Sequence, residues 1–204
     1  MSNPDLDRWN ARFDVPDHVF GEAPNSFLAR HAAGLSPGRA LCVADGEGRN
    51  GVWLAQQGWD VLSLDFSAVA QQKAAALAAR RGVALTLEQG DVHGWPYPAA
   101  AFDLVADIFS QFSPPAERAR KWAGLRRTLR PGGHLIVEGY TPRQLVHRTG
   151  GPSAAENLYT EPMLRDAFGG LEILVLHERE EVLDEGAGHS GMSALIGLVA
   201  RKPD

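Results

Sequence analysis

Apolar residues along this chain gather into short runs of strand length, separated by stretches in which they recur at helical spacing. The first run, Ala40-Leu41-Cys42-Val43-Ala44, shows no polar alternation and stops at glycines, as a parallel strand buried on both faces does. Residues 50–57 read as a helix able to turn Val52, Trp53 and Leu54 towards a sheet, with Gly58 as its stop. A second strand follows over 60–65 through Val61, Leu62 and Leu64. Ser67 then caps an alanine-rich helix that runs to Arg81. The pattern places a third strand at 85–88 and a fourth at 102–108. A helix over 115–129 ends at Pro131-Gly132-Gly133, and a fifth strand follows at 134–140. A short helix at 162–168 and strands at 171–181 and 194–201 complete the chain.

Strands alternating with helix-length segments predict a mostly parallel sheet with right-handed crossovers. The last two strands have no helix between them, so they are expected to pair antiparallel. Residues 1–39 precede the first strand and hold Trp9, Arg12, Phe13, Phe20, Gly21, Pro24 and Asn25. They read as a helical cap covering a sheet edge, as a lid over the open end of a site, or as both. The organisation expected is one domain over 1–204, with a cap at 1–39 and a core at 40–204.

Composition narrows the partners. The 204 residues, 44% hydrophobic and 22% charged, suit one globular α/β domain. The apolar runs are too short to cross a bilayer, and the polar start Met1-Ser2-Asn3-Pro4-Asp5 is followed by no signal-peptide core. Cys42 is the only cysteine, which excludes an internal disulfide and predicts a reducing, cytoplasmic setting. A net charge of -5 offers no general attraction to nucleic acid, so a small molecule is the expected partner. The locally basic stretch 117–127 reads as a solvated helix face.

Asp45-Gly46-Glu47-Gly48-Arg49-Asn50 follows the first strand, where open α/β sheets bind ligands beyond their carboxyl ends. Its glycines permit a tight turn and a close backbone approach, and the next helix points free N–H groups at the same spot. Gly46-x-Gly48-x-x-Gly51 also fits the dinucleotide fingerprint, with Asp65 as the ribose acid, so a nicotinamide-dependent oxidoreductase is a competing reading. At the end of the second strand, Asp65 suits a ribose diol, whose two hydroxyls a carboxylate can accept. A second acid, Asp91 in Gly90-Asp91-Val92, follows the third strand and suits an adenine amino group.

Together with Phe102-Asp103-Leu104-Val105 and Leu129-Arg130-Pro131-Gly132-Gly133, these features resemble the class I S-adenosylmethionine-dependent methyltransferases. The resemblance covers about residues 40–140. More narrowly, the chain is similar to the tellurite-resistance and thiopurine methyltransferase-like branch. That likeness rests on Trp9-x-x-Arg12-Phe13 with Gly21-x-x-Pro24-Asn25, on Gly46 to Asn50, and on Leu183-Asp184-Glu185-Gly186 with His189-x-Gly191. It implies a three-layer α/β/α Rossmann-like fold of seven strands with the last antiparallel. It also implies S-adenosylmethionine as cofactor, held by Trp9, Arg12, Asp45, Gly46, Glu47, Gly48, Asn50, Asp65, Phe66, Asp91, Val92 and Ile108. Cys42 and Ala44 stand where the family usually has an acid and a glycine, which leaves Asp45, backbone carbonyls or both for the methionine ammonium.

Methyl transfer from a sulfonium depends mainly on positioning, worth about 7–11 kcal/mol in favourable cases, so no diagnostic triad is expected. Phe109, Phe112, Trp9 and Phe13 offer aromatic faces to the cation. Arg12 suits a carboxylate or an anionic substrate. His147, His189, Tyr140 and Glu138 are the titratable candidates on the acceptor side. No zinc-type spacing is present, so no metal is expected. The acceptor implied by the resemblance is a thiol or a selenium or tellurium oxyanion. A sensor that binds the cofactor without catalysis is the remaining alternative.

Overall fold

The computed structural model describes residues 3–204. Seven strands form one sheet in the order β3-β2-β1-β4-β5-β7-β6. They are β1 (Arg39–Val43), β2 (Asp60–Asp65), β3 (Thr86–Gln89), β4 (Phe102–Ile108), β5 (Leu129–Tyr140), β6 (Glu172–Asp184) and β7 (Ser190–Arg201). Strands β1 to β5 pair in parallel, and β7 runs antiparallel to both β5 and β6, as the helix-free link predicts.

Side chains alternate between two cores with the period of two that a strand imposes. Leu41 and Val43 of β1 join Val105, Leu135 and Val137 on one face, under α5 (Pro115–Thr128) and α7 (Glu161–Phe168). Ala40 and Cys42 join Leu104, Ala106 and Ile136 on the other, under α2 (Ser26–Ala32) and α3 (Arg49–Gln56). Ser67 caps α4 (Ala68–Arg81) by accepting from Ala70 N at 3.1 Å. Strand order reverses between β1 and β4, which opens a crevice beyond their carboxyl ends.

Several expectations shift on contact with the structure. Pro131-Gly132-Gly133 does not simply end a helix. It forms an irregularity inside a longer β5, where pairing slips between Phe102–Leu129 and Leu104–His134. The final hairpin is longer at its tip than expected, because β6 and β7 stay paired out to Asp184–Ser190. The basic stretch of α5 is not a uniform solvated face: Arg118 and Lys121 are buried, and Arg127 donates to the carbonyl of Tyr97. The cap contains two helices, α1 (Asn3–Phe13) and α2, and the short helix α6 (Gln144–His147) follows β5. No helix among the described residues is long and apolar enough to cross a membrane.

Candidate active site

The Gly-rich turn sits at the reversal point, and its backbone is unusual. Ala44 takes φ +50° and Gly46 and Gly48 take +57° and +83°. Ala44 thus holds a left-handed conformation in which its Cβ is strained, at the position where a glycine would be free of strain. Asp65 receives N–H bonds from Gly46 at 2.9 Å and Ser67 at 2.8 Å, which locks the end of β2 to the turn. Burial raises the Asp65 carboxyl, and those N–H bonds oppose the rise.

Asp45 is placed differently from the pattern expected of an ammonium ligand. Its carboxylate is turned beneath the turn, accepting from Ser63 Oγ at 2.7 Å and from Gly51 N. Burial pushes its carboxyl up to about 7. Glu47 and Asn50 line the cavity, and their side chains also hold the cap. Glu47 pairs with Lys73 at 2.5 Å and accepts from Phe20 N at 3.3 Å, and Asn50 Oδ1 accepts from Asn25 N at 2.9 Å. Lys73 Nζ also reaches the carbonyls of Val15 and Asp17, at 3.0 and 2.7 Å, fastening the end of α1 to α4.

The cap lies directly on the turn. Phe13 comes within 3.4 Å of where a Cβ on Gly46 would stand, and Trp9 stacks on Phe13 with ring centres 5.6 Å apart. Two cavities open beneath it. The smaller, about 70 Å³, covers the turn and is walled by Ala44, Gly46, Asp65, Phe66 and Ile108 among others. The larger, about 910 Å³, leads outward past Arg8, Arg12, Gln111, Tyr140 and Asn157. Trp9, Phe20, Phe109, Phe112 and His189 border both.

His189 lies at this seam, in the tip between β6 and β7. Its Nδ1 is 2.6 Å from Tyr140 Oη, and its ring stacks on Phe109 at 4.2 Å and lies against Phe20 at 4.6 Å. Phe109 reaches this position through a left-handed φ of +52°, a strain seen where structure is held for function. Burial lowers His189 to about 3, helped by the charges of Arg49 and Arg12, so the imidazole is neutral at physiological pH. Tyr140 is pushed up by burial and by Glu185 and Glu138, so the phenol keeps its proton.

Other expected site residues are placed apart from this seam. His147 lies in α6 with Nε2 3.5 Å from Glu180 and borders neither cavity. Glu138 is fully buried and pairs with Arg179, with Asn25 Nδ2 donating to it at 2.5 Å. Asp91 accepts from His93 N at 2.9 Å, and Val92 is packed in the core; neither borders the smaller cavity. Arg12 faces the larger cavity, over the rings of Phe20 and Trp9. Asp107, near the end of β4, is turned into the core, where it accepts from Lys121 Nζ at 3.0 Å and Trp122 Nε1 at 3.2 Å.

The role of Glu185 was not apparent in the sequence. It accepts from Arg49 at 2.8 Å and from Ser26 N at 3.0 Å, joining α3, the cap and the hairpin. The only signal was its place in Leu183-Asp184-Glu185-Gly186. Among the described residues, no group of three or more His, Cys, Asp or Glu is arranged to hold a metal ion.

Residues 40–133 match the family described as "Methyltransferase domain". A relative from Deinococcus radiodurans named demethylmenaquinone methyltransferase is 31% identical over 116 residues, covering 56% of this chain and 48% of the relative. One of the same name from Renibacterium salmoninarum is 32% identical over 158 residues, covering 76% of this chain and 62% of the relative. The chain thus spans about half to three-fifths of the length of these relatives. Among solved structures, the N-methyltransferase NodS from Bradyrhizobium japonicum, in complex with S-adenosylhomocysteine, superposes with a TM-score of 0.74. It is 13% identical, with 98% of each chain covered, a likeness of fold. Residues 40–133 are thus similar to the methyltransferase-domain family, and the chain as a whole shares its fold with NodS.

Proposed function

We propose that the protein transfers a methyl group from S-adenosylmethionine to a small organic molecule seated in the larger cavity. The observation that carries this reading is the meeting of two cavities at one aromatic seam, one over the Gly-rich turn and one open to solvent. The turn suits the cofactor: its glycines carry no Cβ of their own, and Asp65 stands beside it with its carboxylate accepting from Gly46 N at 2.9 Å. Trp9 Nε1, in the same wall, is buried without a hydrogen-bond partner among the described residues. Such an orphaned donor matches a site that takes a polar ligand.

In this reading Asp65 holds the ribose hydroxyls, and Phe66 and Ile108, which line the smaller cavity, flank the base. The backbone from Ala44 to Gly48 holds the methionine end, since Asp45 is engaged below the turn. When bound, the cofactor supplies an electrophilic methyl group. The chain's own part is to orient the acceptor and exclude water around it. Phe13 and Trp9 lie over Gly46 and roof this end of the site.

The larger cavity bears on the acceptor. About 910 Å³ with five aromatic rings on its walls suits an organic ring better than a compact thiol or a selenium or tellurium oxyanion. The names of the two relatives agree with an acceptor of that size. The test is a thermal-shift comparison followed by an acceptor screen with methyl-labelled cofactor. S-adenosylhomocysteine is expected to raise the melting temperature and NAD to leave it unchanged. Stabilisation by NAD would overturn the reading in favour of an oxidoreductase. Stabilisation by S-adenosylhomocysteine with no labelled product from phenols, quinols, thiols, selenite or tellurite would favour a sensor.

A further inference from the structure

We infer that His189 is a neutral hydrogen-bond donor, its tautomer set by Tyr140, and that it selects a planar aromatic acceptor carrying an oxyanion or carbonyl oxygen beside the methyl-transfer point. This rests on the larger cavity being the acceptor site.

Tyr140 Oη is buried, and its partner is His189 Nδ1 at 2.6 Å. A phenol that keeps its proton must place it on an acceptor, and Nδ1 is the atom in reach. Nδ1 therefore carries no proton, and in a neutral imidazole the proton then resides on Nε2. With Nδ1 taken, Nε2–H is the ring group left for a ligand. His189 borders both cavities, so that donor serves the seam between cofactor and acceptor. Phe109 and Phe20 pack against the ring with centres 4.2 and 4.6 Å away, leaving it little freedom to turn.

The surroundings set the sign of charge that fits. Arg12 lies over Phe20 with its guanidinium 5.2 Å from the ring centre, and Arg49 borders the smaller cavity. Both act to keep His189 uncharged; Arg49 is paired with Glu185 at 2.8 Å, so Arg12 supplies the positive charge beside His189 on the acceptor side. The acids of the larger cavity are drawn elsewhere: Asp5 faces Arg8 at 3.2 Å, and Glu117 lies between His93 and Arg120. A neutral donor beside the Arg12 cation, in a ring-walled pocket, recognises a carbonyl or anionic oxygen attached to an aromatic ring.

The test uses the full chain saturated with S-adenosylhomocysteine and three probes: 1-naphthoate, its neutral counterpart 1-naphthylmethanol, and the ring-free anion cyclohexanecarboxylate. Expected is preference for 1-naphthoate, lost about tenfold or more in His189→Leu and largely kept in His189→Gln, whose amide restores a donor. Binding of 1-naphthylmethanol should change far less. Nitrogen-15 NMR of the unliganded protein should show His189 as the Nε2–H tautomer, with a mixture in Tyr140→Phe. An Nδ1–H tautomer, or equal 1-naphthoate affinity in wild type and His189→Leu, overturns the inference while the cofactor reading stands. Failure of S-adenosylhomocysteine to bind the wild type removes the underlying reading, and the inference with it.

Discussion

At the scale of single residues, the most consequential group is one held by hydrogen bonds at the Gly-rich turn. Asp45 has a folded carboxyl raised to about 7 from 3.8, with burial as the largest cause. Between those values the folded protein keeps a proton that the unfolded chain has released. Its contribution to stability is therefore fully present below the unfolded value, falls as pH rises towards 7, and levels off above it. An amide in its place keeps an oxygen for Gly51 N and donates to Ser63 Oγ, with no charge to bury. Asp45→Asn is accordingly expected to gain in stability relative to wild type as pH rises from about 4 to 8, by at most about 4 kcal/mol. Thermal melts of both proteins across that range measure the difference; an offset independent of pH would contradict it.

Elements meet where side chains would not fit. The tip of the β6–β7 hairpin touches the cap closely through its backbone: Gly188 N donates to Val19 O at 2.8 Å, and a Cβ on Gly186 would stand 2.3 Å from Gly21 N. Gly186 also takes φ +80°, a conformation strained for any other L-residue. Gly186→Ala is expected to cost at least about 1–3 kcal/mol, since neither backbone can yield without parting the two segments. A lower melting temperature, with faster amide exchange confined to residues 18–22 and 184–190, is the expected outcome. Unchanged exchange there would mean that the contact does not hold the cap. The same contact carries His189 to the seam, so the hairpin positions the acceptor site while the cap closes it.

Across the whole molecule, one buried network joins parts distant in sequence. Glu185 binds Arg49 at the start of α3 and Ser26 at the start of α2, and Asn25 links it to Glu138 of β5 and through that to Arg179 of β6. Both side chains of the Arg49–Glu185 pair are largely buried, at 7% and 10% exposure, so loss of one strands the other. Glu185→Ala is expected to destabilise by about 3–5 kcal/mol because it leaves the Arg49 charge uncompensated. Calorimetry should show this as a fall of about 6–20 °C in melting temperature for a domain of this size. Amide exchange should rise in α2 and in the hairpin together; a rise in only one would show that the network does not couple them.

What the sequence determined by itself was local and periodic. The run 40–44 named its strand because burial on both faces removes polar residues, and the helix-free link named the antiparallel pair. The turn at Asp45 to Asn50 was legible because left-handed backbone needs glycine there, although Ala44 shows that tertiary packing can impose the same conformation without one. Side-chain direction was not legible. Asp45 and Asp107 sit at strand ends in the sequence, yet the structure turns the first under the turn and the second onto Lys121. His147 and His189 looked alike as loop histidines, and only the pairing of β6 with β7 and the packing of Phe20 and Phe109 brought one to the seam and left the other outside it. Periodicity records which face of an element is buried. Which groups converge from residues 9, 20, 109, 140 and 189 depends on contacts between segments far apart in the chain, and those exist only once the chain has folded.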